Sequence, residues 1–399
     1  MESLDAYRLM SDKELTARID TIRGKWGKRL LTLGHYYQKP EILALSDAVG
    51  DSFALSAAAA KNLDCEVILF CGVRFMAETA DILANSPTAR GAKNGRRTVV
   101  LSPDPDAGCP MADMATLDEV ERAWTELGTV IDTGDLTPIT YVNSSAEIKA
   151  FCGELGGSAC TSSNASAVLK RAFSEKSRVF FLPDQHLGRN TALALGIDPE
   201  EIVLYNGKNA LMLRELEKLD RDDLLPFDEF QTVRDGRGEL GGISVEALRR
   251  ARVILWNGFC PVHQRFTPEH LRKIRFSQPQ MNIVVHPECR HEIVVEADDS
   301  GSTKKILDLV AGSPPGSSWA IGTERRMVDA LISDFSDRNI LPLAQDRPIC
   351  ETMDQISLAA VCRTLEALDR REPIHLVHVH SNIAAPARVA LERMLATAK

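Results

Sequence analysis

The sequence predicts an α/β protein built from parallel sheets with helices on both faces. Short apolar runs of strand length recur along the chain, and each is followed by a loop rich in Gly, Pro and polar residues and then by a helix-forming segment. This strand–loop–helix unit occurs in about three successive rounds without obvious sequence repetition. Such alternation is typical of βαβ units, in which consecutive strands lie parallel. We therefore expect three similar α/β/α sandwiches whose strand-end loops face a shared centre.

The first round follows one or two amphipathic helices predicted within residues 1–29. Its three strands are short apolar runs, predicted at 30–33, 66–71 and 98–101. Helices are expected to begin at Pro40 and near Ala54 after the first strand, in the turn 72–78 after the second, and at Met111 after the third. The segment 54–61 is rich in alanine, the strongest helix former.

The second and third rounds contain further strands that end in polar loops. These strands are predicted at 139–143, 179–182, 253–256, 282–285, 319–321, 341–348 and 374–379. Residues 298–303 are expected to open a helix, a longer helix is expected over 353–370, and a closing helix follows the last strand. The charged, leucine-patterned residues 206–250 are interpreted as a helical insertion.

Composition excludes several classes of protein. The 399 residues are 44% hydrophobic and 26% charged, which is typical of a protein with two or three globular domains. No apolar run approaches the length of about 18 residues that a membrane span needs. The formal net charge is −9 and no basic block is present, so we expect neither nucleic acid nor a membrane as a partner. Nine cysteines and an N-terminus without a signal peptide indicate a reducing compartment, the cytoplasm.

Three of the cysteines differ from the others in their surroundings. Cys109, Cys260 and Cys350 each end a domain-sized round, in a loop that contains Gly or Pro and precedes a helix. No short CxxC spacing occurs among them, which argues against a structural zinc site. Three thiolates brought together from three domains would suit an iron–sulfur cluster with one open iron. Three buried cysteines with no ligand role are the alternative that the spacing alone leaves open.

Hydroxyl side chains at predicted helix starts suggest that the protein binds anions. Ser52, Ser162, Ser302 and Thr303 all fall at such positions. Free backbone N–H groups and hydroxyls at a helix N-terminus bind phosphates and carboxylates well. Simple N-capping is the structural alternative, and the two roles are compatible.

Twelve segments, in order along most of the chain, resemble the quinolinate synthase family, the A-type enzymes of de novo NAD biosynthesis. The segments are HYYQKPEI (35–42), GDS (50–52), FMAETA (75–80), DAGCPMADM (106–114), YVNSSAEIKA (141–150), CTSSNA (160–165), LPDQHLGRN (182–190), WNGFCPVHQRF (256–266), HPEC (286–289), GST (301–303), IGTE (321–324) and CETM (350–353). The chain departs from the family in the length of its 206–250 insertion, and it lacks the CxxCxxC cluster that some members carry near Cys350.

The resemblance implies one 4Fe–4S cluster per chain, held by Cys109, Cys260 and Cys350, with one open iron that acts as a Lewis acid. It implies condensation of iminoaspartate with dihydroxyacetone phosphate to quinolinate, with loss of phosphate and water. The expected partners are these two small molecules, L-aspartate oxidase through a functional link, and a second copy in a homodimer. The expected domains are 1–114 with 352–399 packed back on it, 115–262 with the insertion, and 263–351.

The resemblance also implies roles for side chains in the matching motifs. The catalytic residues it implies are Tyr37, Tyr141, Glu288, His35 and His286, with Glu288 as the candidate general base. The substrate-binding residues it implies are His35, Ser52, Tyr141, Asn143, Ser162, His263, His286, Glu288, Ser302 and Thr303.

Two other functions compete with this interpretation. A non-enzymatic iron–sulfur or redox-sensing protein would have all four irons coordinated by protein and no phosphate-binding loops. A hydro-lyase of the aconitase type would also use an open iron, but with different cysteine spacing and a citrate-like substrate.

Overall fold

The computed structural model describes residues 3–62, 64–207, 239–345 and 348–397, and it confirms the α/β fold class. The predicted insertion at 206–250 falls mostly on residues 208–238, which lie outside the described residues. The chain divides into two compact units. The first unit comprises Met1–Cys109 and Ile349–Arg388, and the second comprises Pro110–Pro348 and Val389–Lys399.

The first unit contains one five-stranded sheet. Its strands are β1 (Leu30–His35), β2 (Ala48–Gly50), β3 (Val67–Cys71), β4 (Val99–Leu101) and β14 (Leu376–Val377). Their order across the sheet is β14-β4-β3-β1-β2, and β1 to β4 pair in parallel. All five residues of β3 are buried, as expected for a central strand of a parallel sheet that is covered on both faces. The carboxyl ends of β1 to β4 therefore lie at the same edge.

The edge strand β14 is shorter than the predicted strand 374–379, and it runs antiparallel to β4. The backbone N–H of Val379 donates to the carboxylate of Asp81 at 2.9 Å instead of extending the ladder. That hydrogen bond takes the chain away from the sheet two residues after the strand ends.

Helices cover the sheet of the first unit. They are Leu4–Arg8, Asp12–Trp26, Pro40–Leu43, Ser52–Lys61, Arg74–Ala84, Pro87–Ala92, Glu351–Asp354 and Leu358–Asp369. Ile19, Leu69 and Leu365 belong to one buried apolar cluster, so the core joins two of these helices to β3. The helix predicted at 353–370 is interrupted, because the hydroxyl of Ser357 accepts the N–H of Ala360 and caps a new helix at Leu358.

The described residues of the second unit form two parallel sheets. One consists of β5 (Leu136–Tyr141), β6 (Ser158–Cys160), β7 (Arg178–Leu182), β8 (Ile202–Tyr205) and β9 (Val253–Trp256), in the order β6-β5-β7-β9-β8. The other consists of β10 (Asn282–Val285), β11 (Asp299–Ser300), β12 (Ser318–Gly322) and β13 (Asn339–Pro342), in the order β11-β10-β12-β13.

The helices of the second unit alternate with these strands. They are Pro110–Asp113, Leu117–Leu127, Ala146–Glu154, Ala165–Glu175, Gln185–Ala194, Val245–Arg250, Pro268–Ser277, His291–Glu296, Thr303–Gly312 and Arg325–Asp334. The closing helix of the chain, Ser381–Thr397, has its first residues in the first unit and the rest in the second. The segment 298–303 opens a helix as expected, since Ser302 is the N-cap of the helix that begins at Thr303, but its first half forms a strand. The carboxylate of Asp298 accepts the N–H of Ile283 at 2.7 Å, which sets Asp299–Ser300 beside β10 as a strand.

Each of the three predicted domains contains one of the three sheets. The boundaries of these domains stay a prediction. Across the part of the chain that the structure describes, every helix is too short or too polar to cross a membrane.

A glycine in the loop after β9 provides a test of this packing. A Cβ on Gly258 would lie 2.4 Å from the backbone carbonyl oxygen of Pro183. We expect Gly258→Ala to lower the free energy of unfolding by about 1–3 kcal/mol, because the clashing atom belongs to the backbone. Chemical denaturation measures this change.

The matched control is Gly24→Ala within the helix Asp12–Trp26, where an added Cβ meets nothing within 4 Å. We expect this control to stabilise the protein by about 0.5–1 kcal/mol, since alanine is the better helix former. Equal stabilities of the two variants would contradict the packing described for Gly258.

Candidate functional site

Two loops of the second unit bring three buried titratable side chains together. Nδ1 of His263 lies 2.6 Å from a carboxylate oxygen of Glu288, and Nδ1 of His286 lies 3.5 Å from the same oxygen. The two imidazole rings stack, with centroids 4.4 Å apart and an interplanar angle of 19°. We call these three residues the His–Glu–His cluster. All three are at least 96% buried, so the cluster is held away from bulk water.

The loops that carry this cluster follow the carboxyl ends of two strands that belong to different sheets. His263 begins a short 3-10 turn after β9, where the N–H of Gln264 donates to the carbonyl of Cys260 at 3.0 Å. His286 comes directly after β10, and its N–H donates to the carbonyl of Gly322 at 2.9 Å. The strand bounds agree with the predicted ones because both strands are apolar runs bounded by polar residues.

Asn190 braces the loop that presents Glu288. Its side-chain amide donates to the carbonyls of Pro287 and Cys289, at 2.9 and 2.8 Å. These two hydrogen bonds fix the backbone on both sides of Glu288. Asn190 ends the LPDQHLGRN segment, which the sequence analysis quoted without giving this residue a role.

Thr323 holds the other side of the His263 ring. Its hydroxyl lies 3.1 Å from Nε2 of His263, so the imidazole is held between a carboxylate and a hydroxyl. Thr323 is in the IGTE segment after β12, and the sequence analysis assigned it no function. A single sequence carries no signal of a contact between residues 60 positions apart.

Two buried carboxylates of the second unit have pKa values shifted in opposite directions. Burial would raise the pKa of Glu288, but His286, His263 and a hydrogen bond with Tyr141 outweigh it, so that the pKa lies below its usual value. Burial, and then the charge of Glu288, raise the pKa of Asp184 well above its usual value. One oxygen of Asp184 accepts the N–H groups of His186 and Leu187. Asp184, which follows β7 in the PDQ stretch, was not among the site residues predicted from the sequence.

Tyr141 and Asn143 lie at the carboxyl end of β5, as the sequence predicts. Tyr141 is the last residue of the strand and is buried, and it pairs in register with Cys160 of β6. Asn143 follows the strand instead of ending it. Among the described residues, no hydrogen-bond partner is found for the buried side-chain oxygen of Asn143 or for the second carboxylate oxygen of Glu288. Unsatisfied buried polar atoms are rare and point to a group that completes the site.

The predicted anion-binding residues differ in their positions. The hydroxyl of Ser302 caps the helix Thr303–Gly312 by accepting the N–H of Lys305, and Thr303 is the first residue of that helix. Both side chains are buried. Ser162 lies in the turn before the helix Ala165–Glu175 and not at its start, because Asn164 is the N-cap residue and accepts the N–H of Thr161.

In the first unit, His35, Tyr37 and Ser52 lie at the carboxyl edge of the sheet. The N–H of Tyr37 donates to Nδ1 of His35 at 3.2 Å, and the two rings meet edge to face with centroids 4.7 Å apart. His35 pairs in register with Gly50, two residues before Ser52. Ser52 is the first residue of its helix, which Asp51 caps. His35 and Tyr37 on one side and Ser52 on the other are therefore presented by the adjacent strands β1 and β2.

Burial separates the nine cysteines into two groups, and none forms a disulfide. Cys109, Cys260 and Cys350 are half-buried, each in a loop beyond the carboxyl end of a strand. The fully buried cysteines are Cys65, Cys71, Cys152, Cys160, Cys289 and Cys362. Burial raises the pKa of Cys71 to about 12, and the same effect raises those of the other five. The core thiols therefore stay protonated and make poor metal ligands.

The donor atoms around Cys260 fit a metal centre. Its Sγ, an imidazole nitrogen of His263 and a carboxylate oxygen of Glu288 all lie within 4.8 Å of one another. A thiol outside the core is the usual ligand of an iron–sulfur cluster, and the two other half-buried thiols offer the same chemistry. This donor set is suited to a metal, and the iron–sulfur cluster that the sequence motifs imply stays a prediction.

The protein has parallel sheets with polar residues at their carboxyl ends and a buried cluster of two histidines and a carboxylate. Both features are typical of α/β enzymes. The family model for the quinolinate synthetase A protein matches residues 17–396. The chain belongs to this family, and the resemblance found in the motifs is confirmed, as is the expectation of an enzyme.

Curated relatives carry the name quinolinate synthase. One from Rhodopirellula baltica is 44% identical over 396 residues, which are 99% of this chain and 94% of the relative. One from a Geobacillus species is 42% identical, over 99% of this chain and 96% of the relative. One from Bacillus cereus is 42% identical, over 98% of this chain and 95% of the relative.

The division of the cysteines can be tested by alkylation. In the metal-free, reduced protein we expect iodoacetamide to modify Cys109, Cys260 and Cys350 at least tenfold faster than the six buried cysteines, because only half-buried thiols meet the reagent without unfolding. Mass spectrometry of peptides measures each rate. In denaturant all nine should react at similar rates, which is the control. Equal protection of all nine cysteines in the folded protein would contradict the division.

Proposed function

We propose that this chain is a quinolinate synthase that condenses iminoaspartate with dihydroxyacetone phosphate, releasing phosphate and water. Membership of the quinolinate synthetase A family and the names of the relatives support this proposal. The observation that carries it is the His–Glu–His cluster, because imine formation, tautomerisation and dehydration all require protons to be moved at a site away from water.

Glu288 and His263 act as a pair in this proposal. The low pKa of Glu288 keeps the carboxylate ionised, which makes it a weaker base than an ordinary glutamate but a strong acceptor for the N–H of His263. The carboxylate at 2.6 Å orients the imidazole, and the imidazole would pass the proton to or from substrate. Tyr141, which hydrogen-bonds to Glu288, is the candidate proton donor beside this pair.

Cys109, Cys260 and Cys350 would hold one 4Fe–4S cluster. When bound, such a cluster supplies a Lewis acid through the iron that has no protein ligand, with no net redox change in the reaction. Cys260 shares its loop with His263, so the cluster and the proton-transferring pair would belong to one site. The three predicted domains would each contribute one thiolate.

The substrates are anions, and the remaining predicted residues are suited to hold them. Ser302 and Thr303 form the N-terminus of a ten-residue helix whose positive end attracts a phosphate or a carboxylate. Ser52 and Ser162 offer further hydroxyls, and the unsatisfied side-chain oxygen of Asn143 is suited to accept a substrate N–H. His35 and Tyr37 are proposed to orient an oxygen of the triose or to protonate it.

The wider setting is part of the same proposal. Iminoaspartate would be supplied by L-aspartate oxidase, the protein would work in the cytoplasm, and two copies would form a homodimer. A sensor or an aconitase-type hydro-lyase would share the cluster but would produce no quinolinate.

Glutamine in place of Glu288 tests the proposed pair. With oxaloacetate, ammonia and dihydroxyacetone phosphate under anaerobic conditions, we expect Glu288→Gln to lower kcat for quinolinate formation by about 10²–10⁴-fold, because the neutral amide cannot hold His263 in the proton-transferring arrangement. Liquid chromatography of the product measures the rate.

The matched control is Glu296→Gln, which alters an exposed carboxylate at the end of a nearby helix. This control should keep the wild-type rate. A Glu288→Gln enzyme with unchanged kcat would contradict the role given to the cluster.

Removing the Thr323 hydroxyl tests how the His263 ring is positioned. We expect Thr323→Val to lower kcat by about tenfold with little change in KM, which corresponds to one hydrogen bond worth roughly 1.4 kcal/mol. Thr323→Ser keeps the hydroxyl and should restore most of the rate. If the serine variant is as slow as the valine variant, the hydroxyl contact at 3.1 Å is not what matters.

A further inference from the structure

The loop after β7 and the loop after β9 lie side by side next to the His–Glu–His cluster. The N–H of Gln185 donates to the carbonyl of Gly258 at 2.8 Å, and the side-chain amide of Gln185 donates to the side chain of Asn257. Since β7 and β9 are neighbours in one parallel sheet, their carboxyl ends lie at the same edge. These hydrogen bonds therefore hold residues 184–186 against the loop that leads to His263.

Three side chains at this junction have polar atoms that lack hydrogen-bond partners. Among the residues that the structure describes, no partner is found for either amide atom of Gln264, for Nε2 of His186 or for the second carboxylate oxygen of Asp184. All three residues are at least 96% buried. The Gln264 amide lies beside the His186 ring, but this contact lacks the geometry of a hydrogen bond. Unsatisfied buried polar groups are rare, so three of them together indicate a ligand that completes their bonding.

These three groups can both donate and accept hydrogen bonds. Burial lowers the pKa of His186 to about 3, so its ring is neutral and has one donor and one acceptor nitrogen, and the Gln264 amide also offers both. The Asp184 oxygen accepts when it is ionised and donates when it is protonated, so it suits a hydroxyl in either state. Arg290, a cation that acts on His186, is paired with Glu292 at 3.1 Å. An ionised phosphate or carboxylate would offer only acceptors, so the three groups fit a hydroxyl or a ketone better.

We propose that Gln264, His186 and Asp184 form a subsite for the hydroxyl and ketone groups of the three-carbon substrate. This inference rests on the proposed function and names the groups that would recognise the triose apart from its phosphate. Gln264 belongs to the same 3-10 turn as His263, so a ligand held by the amide would lie beside the proton-transferring pair. A site that hydrogen-bonds a substrate hydroxyl discriminates strongly against an analogue without it, because its buried polar groups are then left unpaired.

Calorimetric titration of the full chain, purified anaerobically, tests this subsite with two ligands. One is dihydroxyacetone phosphate, and the other is hydroxyacetone phosphate, which lacks only the hydroxyl. The wild type should bind dihydroxyacetone phosphate about tenfold more tightly or better, because only this ligand satisfies the buried groups. Gln264→Met keeps the unbranched shape of the side chain without its polar atoms, and this variant should bind the two ligands equally.

Thermal unfolding separates a role in substrate binding from a structural one. An amide that has no partner until the triose binds does not stabilise the free protein, so Gln264→Met should melt at the wild-type temperature or above it. A marked fall in melting temperature would show that Gln264 holds the fold together, and it would overturn the proposal. The matched control is Gln280→Met, an exposed glutamine of the same unit, which should keep both the wild-type stability and the wild-type preference between the ligands.

The titration distinguishes failure of the subsite from failure of the proposed function. If the wild type binds both ligands equally, the hydroxyl is not recognised and the subsite is overturned. If the preference for dihydroxyacetone phosphate persists in Gln264→Met, the hydroxyl is bound elsewhere, which also overturns the subsite. Binding of neither ligand by the wild type would contradict the triose as a substrate, so the proposed function would fail first and the subsite with it.

Discussion

The contact of 2.6 Å between His263 and Glu288 is the interaction on which the candidate site depends. Each residue comes from the loop after a different parallel strand, so the contact exists only if β9 and β10 deliver their carboxyl ends to one place. A buried carboxylate is costly unless opposite charges or donors surround it, and here two imidazoles and Tyr141 meet that requirement. Asn190 fixes the loop that carries Glu288, and Thr323 fixes the ring of His263. These contacts orient the buried His263–Glu288 pair.

Hydrogen bonds orient the His–Glu–His cluster, and burial decides which cysteine thiols can bind a metal. Six thiols lie in the core, where their raised pKa values keep them protonated, and three stay half-buried in strand-end loops. The same chain can therefore carry nine cysteines and still keep a defined set of three thiols outside the core. Cys260 connects the two features, since its sulfur lies within 4.8 Å of donor atoms of His263 and Glu288.

The sequence predicted those parts of the fold and site that depend on local pattern. Apolar runs such as Asn282–Val285 are bounded by polar residues, so their strands and the HPE motif after them could be located. The antiparallel pairing of Leu376–Val377 could not be predicted, because an isolated apolar run does not reveal its partner. Asp184, Asn190 and Thr323 were missed as site residues for a related reason, since their importance arises from contacts across 60 to 101 positions or from burial.

Iron and sulfide content, measured together with quinolinate formation in one anaerobic preparation, tests the central claim most directly. The account predicts about four irons per chain and quinolinate from oxaloacetate, ammonia and dihydroxyacetone phosphate, with the cluster lost in Cys109→Ser, Cys260→Ser and Cys350→Ser but kept in Cys65→Ser. A protein without iron under strict exclusion of air, or one that keeps its cluster when Cys260 is replaced, would contradict it.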